Sequence, residues 1–218
     1  MKILKTVLLA AGIAAAGAAH AVDMGIGLKV GTHGLGADVG FGLSERFTLR
    51  LGYSGLSWSG DFEEEDITYD TKLRLAAFSG LVDWKFWRQV RLTAGLVHVK
   101  DKGALTGTPT GGTFTINDVD YAASEVGTIS GTVRMGKSAT PYLGIGYGDI
   151  ARKGLSFYAD LGILFQGKPE VELSANCGAT ARCAQLQADV EAEERKLQED
   201  LDKFKYYPIL NLGIAYGW

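Results

Sequence analysis

From Met24 onward, apolar and polar residues alternate with a period of two, the pattern of a strand with two unlike faces. Met24, Ile26, Leu28 and Val30 are separated by Gly25, Gly27 and Lys29. Leu35, Ala37, Val39, Phe41 and Leu43 repeat the pattern around Gly36, Asp38, Gly40 and Gly42. After a tight Ser44-Glu45-Arg46 turn, Phe47, Leu49, Leu51 and Tyr53 alternate with Thr48, Arg50 and Gly52, in a strand running to about Ser59. A fourth strand is predicted over Tyr69 to Trp84, with Leu73, Leu75, Ala77 and Leu81 on one face. In the fifth, Val90, Leu92, Ala94 and Leu96 oppose Arg91, Thr93 and Gly95. The sixth (Tyr142 to Tyr147), the seventh (Leu155 to Phe165) and the eighth (Leu210 to Trp218) complete the set.

The linkers after the first, second, fourth and sixth strands are short. Those after the third, fifth and seventh are long: an acidic stretch over Asp61 to Thr68, then roughly 100–140 and 167–205. The segment 100–140 has room for a small hairpin near Thr113 to Tyr121 and a strand extension near Ile129 to Met135. An even strand number with short turns at one end and long loops at the other is the plan of an outer-membrane barrel. The predicted fold is all-β: an eight-stranded antiparallel up-and-down transmembrane β-barrel, with a helical segment in its last outer loop.

Residues 1–21 stand apart. Lys2 and Lys5 precede an Ala-rich apolar run, and Ala19-His20-Ala21 is a small-x-small cleavage pattern. This reads as a secretory signal peptide cleaved after Ala21, leaving 22–218 as the mature barrel. Its removal leaves 20 basic and 25 acidic side chains, a net charge of −5, which offers nothing to a nucleic acid. No later apolar run is long enough to cross a membrane as a helix.

Composition then decides which face is outside. Glycine supplies 30 of 218 residues, about twice the usual share, and much of it lies opposite the aliphatic face. An apolar interior would leave the exterior paved with glycine. An apolar exterior in lipid puts the glycines inside a narrow barrel, where bulky side chains have little room. The inward set then includes Lys29, Asp38, Arg50, Lys72, Arg74, Arg91 and Asp160. Charges of both signs in such a place are expected to pair. A salt-bridged polar plug is favoured over an ion-selective pore. Aromatic residues cluster near the strand ends, among them Phe47, Trp84, Phe157 and Trp218 at one end and Tyr53, Trp58 and Phe165 at the other. Rings at those levels suit the two membrane interfaces.

The chain ends Asn211-Leu-Gly213-Ile-Ala-Tyr216-Gly-Trp218. This resembles the assembly signal of Gram-negative outer-membrane proteins, with Trp in place of the usual terminal Phe. With the signal peptide and eight strands, the mature chain resembles the small outer-membrane barrels typified by OmpX, the OmpA transmembrane domain and OmpW. The resemblance implies insertion by the barrel-assembly machinery into a membrane bearing lipopolysaccharide. Through OmpW it also admits a narrow channel for small hydrophobic molecules.

The loops carry the remaining chemistry. Cys177 and Cys183 lie six residues apart in an exported chain and are expected to form a disulfide. Ala184 to Lys205 has helical composition, with Leu186, Val190, Leu197, Leu201 and Phe204 on a stripe. Packing against its own loops is favoured over a partner protein docking through Val190, Leu197 and Phe204. The run Asp61, Glu63, Glu64, Glu65 and Asp66 lacks the spacing of a calcium loop and reads as solvated. His33 and His98 are the only mature histidines, and no His-x-Ser or G-x-S-x-G motif is present. No catalytic residue, metal site or cofactor is expected. The function read from the sequence is structural, or exercised through surface loops.

Overall fold

A computed structural model describes residues 23–64, 67–135 and 139–218. The signal segment 1–21 with its cleavage point, and Glu65 and Asp66 of the acidic run, lie outside the described residues. In chain order the elements are β1 (Met24–Gly31), β2 (Gly34–Gly42), β3 (Phe47–Glu64), β4 (Ile67–Trp87), β5 (Val90–Val99), β6 (Lys102–Pro109), β7 (Thr113–Ile116), β8 (Val119–Ala122), β9 (Val126–Arg134), β10 (Ala139–Tyr147), β11 (Gly154–Leu164), β12 (Glu170–Cys177), α1 (Cys183–Leu201) and β13 (Tyr207–Gly217).

Eight of the strands form a closed antiparallel ring, in the order β1, β2, β3, β4, β5, β10, β11, β13 and back to β1. These are the eight strands that alternation marks. Where β13 meets β1, Trp218 N–H donates to Met24 O at 2.9 Å and Met24 N–H to Trp218 O at 3.2 Å. The aliphatic and aromatic rows face out: Leu28 is 65% exposed, Leu35 69% and Phe157 69%. The glycines and charges of the same strands face in.

Of the acidic stretch predicted as a loop, Asp61 to Glu64 and Ile67 to Thr68 are strand. β3 and β4 pair all the way from Phe47↔Trp84 to Glu64↔Ile67, so the hairpin projects beyond the ring as a long arm. The arm persists because it is not alone: β6 pairs with the outer half of β4, β9 with β6, and β12 with β9. Three or more strands sustain a ladder that an isolated hairpin does not. β12 falls in the predicted loop 167–205, where Val171, Leu173 and Ala175 alternate with polar residues.

The β7–β8 hairpin turns on Asn117 and Asp118, both at positive φ (50° and 62°), the arrangement of a two-residue hairpin turn. Helix α1 ends at Leu201, four residues short of the predicted Lys205. Its Leu186 and Val190 are buried with Ile116, Tyr121 and Val126 in a small core outside the ring. Phe204 lies past the helix and is 63% exposed. Of the Val190–Leu197–Phe204 stripe, Val190 is buried in that core while Leu197 and Phe204 are exposed. Cys177 and Cys183 are disulfide-bonded and join the end of β12 to the start of α1.

Beside the disulfide, Arg182 clasps Glu125. Its Nε donates to Oε1 at 2.9 Å and its Nη2 to Oε2 at 2.5 Å, and Ala122 N–H donates to Oε2 at 3.0 Å. These donors pull the Glu125 carboxyl from 4.5 to about 2. A depressed carboxyl stabilises the fold above about 4.5 and loses that contribution as pH falls through about 2. Carbon NMR of the glutamate carboxyls should place one midpoint near 2, and Arg182→Ala should return it towards 4.5. Separately, Leu186→Ala removes a fully buried side chain and should cost about 2–5 kcal/mol of local stability. Trypsin should then cut within α1 faster, with the ring strands still protected.

Candidate functional site

Five of the seven predicted interior charges meet inside the ring. Each arrives on an inward position of a different strand: Lys29 on β1, Asp38 on β2, Arg50 on β3, Arg91 on β5 and Asp160 on β11. Arg50 is the hub. Its Nη1 and Nη2 donate to the two oxygens of Asp160 at 2.7 and 3.0 Å. Nη2 also donates to Asp83 Oδ1 at 3.2 Å, and Nη1 lies 3.7 Å from Asp38 Oδ2. Arg91 donates from Nη2 to Asp160 Oδ1 at 2.6 Å and from Nη1 to the Tyr147 and Gly148 carbonyls, both at 2.7 Å. Lys29 Nζ donates to Asp38 Oδ1 at 2.7 Å, and the Tyr158 hydroxyl donates to Asp38 Oδ2 at 2.9 Å.

Asp83 completes the cluster and is not among the predicted interior charges. It accepts from Arg50 and from Thr93 Oγ1, the latter at 2.6 Å. Three cations thus face three carboxylates, and Lys29, the most open of the six, is 9% exposed. This balance is what allows burial, since an unpaired charge in such a place costs several kcal/mol.

Lys72 and Arg74 are not part of it, and their predicted inward placement is corrected. Both are exposed on the outer arm of β4. The inward face of β4 carries Ala77, Ser79, Leu81 and Asp83, while Phe78, Val82 and Trp84 point out. Ala77 and Leu81 therefore take the opposite face from the one predicted for an aliphatic row. The signal that resolves this is Trp84: an outward ring there forces Asp83 inward and every even residue outward.

Glycines make the space. A Cβ at Gly52 would overlap the Asp38 carboxylate, and one at Gly213 would overlap the Tyr158 ring. At Gly146 it would approach the Arg91 guanidinium to 2.7 Å. These are close approaches by side chains from neighbouring strands, and a larger residue would expel the charge it faces.

The outer half of the interior is apolar, which alternation alone does not predict. Ala77, Leu81, Val97, Val99, Tyr142, Leu164 and Ile209 pack together there. Between this layer and the charges is a cavity of about 40 Å³, room for two or three waters. The Ser79 and Tyr142 hydroxyls, which have no hydrogen-bond partner among the described residues, are on its lining residues. At the same end His33 Nε2 lies 2.9 Å from Asp101 Oδ2, and Ala76 N–H donates to Asp101 Oδ1 at 3.0 Å. That contact ties the short β1–β2 turn to the start of the long excursion after β5. At the other end Lys85 pairs with Asp149 at 2.5 Å.

Of the predicted assembly residues, Asn211 and Gly213 face inward on β13, and Tyr216 and Trp218 face outward at 56% and 53% exposure.

Two crystal structures from Acinetobacter baumannii share this architecture. CarO matches with a TM-score of 0.61 and 24% identity over 89% of this chain and 97% of its own. CarO2 matches with a TM-score of 0.62 and 23% identity over 91% of this chain and 100% of its own. The chain shares with them the fold of an antiparallel β-barrel. A major outer membrane protein from Thermus thermophilus is more distant, with 16% identity and a TM-score of 0.43 that is too low to bear on the fold. No protein-family model and no curated protein sequence matches the chain.

Within this barrel, Asp160 is the carboxylate both arginines share. Asp160→Ala leaves two guanidinium groups short of an anion, and losing one partner of a buried pair costs about 3–5 kcal/mol. The urea midpoint of the barrel in detergent micelles should fall accordingly. The surface variant Arg134→Ala, which breaks an exposed pair with Glu172, should leave it unchanged within about 0.5 kcal/mol.

Proposed function

We propose that this protein is an outer-membrane barrel of a Gram-negative bacterium whose interior is closed to solutes, and that it acts through the sheet and helix built on its outer side. One observation carries the closed reading. Lys29, Arg50, Arg91 and three aspartates, each from a different strand, cross the lumen, and the space beyond them is about 40 Å³. An eight-stranded barrel is just wide enough for side chains to fill. The apolar layer above the charges adds a second obstacle, because an ion reaching the cluster loses its hydration there.

Placement in the membrane is supported by the outward aliphatic rows and by exposed rings at both ends of the strands, such as Phe47 and Trp84 below and Tyr53 above. Tyr216 and Trp218 lie outward on the strand that closes the ring, where the barrel-assembly machinery would read them. The matched structures support the same reading through their fold. No enzymatic role is proposed.

A second reading, a narrow path for small hydrophobic molecules, has one observation in its favour. The apolar layer inside the barrel continues onto the inner face of the arm, where Leu56, Trp58 and Leu105 are 44%, 52% and 41% exposed. For such a molecule the charge cluster is the barrier, since it would have to pass a site whose partners satisfy one another.

Planar-bilayer recording separates the two. The refolded protein should insert, show heat-modifiable migration on a gel, and give no stable single-channel steps. Reproducible unitary steps from the unaltered protein would sink the closed reading. Saturable transfer of a hydrophobic probe into loaded vesicles would favour the second.

A further inference from the structure

The charges displaced from the interior have a place of their own. On β4, Lys72 and Arg74 lie on the same face as Phe78 and Val82, the outward face of the barrel, but farther out along the strand. Arg74 pairs in register with Lys102 of β6 on one side and Ser57 of β3 on the other. Lys72 pairs with Ser59 and Ala104. Register partners share a face, so Lys72, Arg74 and Lys102 form one basic patch bordered by Ser57 and Ser59.

The patch is electrically unfinished. Cross-strand partners stand about 5 Å apart, and like charges directly opposite repel. Arg134, next in the row, is matched by Glu172 at 2.7 Å. Lys72 is drawn to Asp61 of the next register pair outward on the same face, while Arg74 and Lys102 are in no ion pair among the described residues. The next register pair outward, Asp61↔Asp70, stands beyond Lys72 at the rim of the patch. Between the basic groups runs a groove of about 370 Å³, walled on this face by Ser57, Ser59 and Ala104.

Its height is the second observation. From the inner-end pair Phe47↔Trp84 to Ser57↔Arg74 is ten residue steps along the hairpin. At about 3.3 Å per residue and a tilt of about 40°, that is about 25 Å along the membrane normal, the height of the apolar band of such barrels. The last outward rings before the patch are Tyr53 and Phe78, themselves register partners. The basic groups therefore emerge on the lipid side where hydrocarbon gives way to headgroups.

We propose that this patch binds the phosphate groups of the outer-leaflet glycolipid, lipopolysaccharide. The inference rests on the outer-membrane reading above. Arginine supplies paired donors to phosphate and lysine a mobile point charge. The groove hydroxyls of Ser57 and Ser59 add neutral donors. A soluble anion reaches these charges only by diffusion from solution. A phosphate carried by lipid is delivered to that face and height by the membrane itself, so the lipid is the source the geometry favours.

The test compares unaltered protein with the triple variant Lys72→Gln, Arg74→Gln, Lys102→Gln, each refolded in detergent micelles. The probes are purified lipopolysaccharide, the same lipid after enzymatic dephosphorylation, and inorganic phosphate. The unaltered protein should bind lipopolysaccharide at least about tenfold more tightly than the variant does, the loss of roughly one charge-assisted hydrogen bond. Dephosphorylated lipid should show the same loss on the unaltered protein, and millimolar inorganic phosphate should not compete. Equal affinity of variant and unaltered protein would overturn the proposal, as would full competition by inorganic phosphate. Heat-modifiable migration of both proteins reports insertion independently. Its absence from the unaltered protein would overturn the membrane reading and this proposal with it, whereas its presence with equal lipid affinity would overturn the patch alone.

Discussion

The pairing of β13 with β1 joins the first and last described strands, and it divides every strand of the ring into one face turned out and one turned in. Because side chains alternate along a strand, closure commits each residue to one of two media with no intermediate choice. Leu28 and Phe157 are left open to the outside, and Arg50 and Asp160 are enclosed. Within the ring, closure also leaves no exposed edge, the condition for a sheet in hydrocarbon.

Enclosing charge is the next constraint, and it is met by balance and by space. Arg50 reaches Asp160, Asp83 and Asp38 from one guanidinium, so carboxylates on three other strands of the ring are oriented about a single group. Arg91 secures Asp160 and Asp83 from the other side and takes two backbone carbonyls as well. Long side chains need absent neighbours, and the inward glycines provide them. The glycine content is thus a consequence of placing arginine, tyrosine and lysine in a narrow lumen.

Outside the ring, the β3–β4 hairpin sets what else is possible. It extends past its neighbours, offers β4 as an edge, and the chain returns three times to pair outward from it through β6, β9 and β12. This annex has its own core around Leu186 and Val190, its own disulfide and its own buried tyrosine, Tyr121, whose hydroxyl donates to Asp189 at 2.5 Å. Burial and the adjoining Asp189 carboxylate push the Tyr121 phenol up to about 12. One face of the annex sheet continues the lipid side of the barrel and the other continues its lumen side, which is why basic and apolar groups separate so cleanly across it.

The eight ring strands were legible because each carries its own record of two media, written in period-two alternation. Five of the interior charges were legible for the same reason, lying opposite unambiguous aliphatic rows. The record fails on β4, where Leu73, Leu75, Ala77 and Leu81 form an aliphatic row that faces inward or onto the annex. Periodicity gives the spacing of a face but not its side, so Lys72, Arg74 and Asp83 were assigned only when strand pairing set the direction of Trp84. The strands β6, β9 and β12 were likewise invisible as a sheet, since each is short, polar on one face and stable only beside the others. Local sequence determined where the chain extends and which residues share a face. Which face is enclosed, and which charges meet, was decided by contacts between strands far apart in the chain, such as Arg50 with Asp160, 110 residues apart.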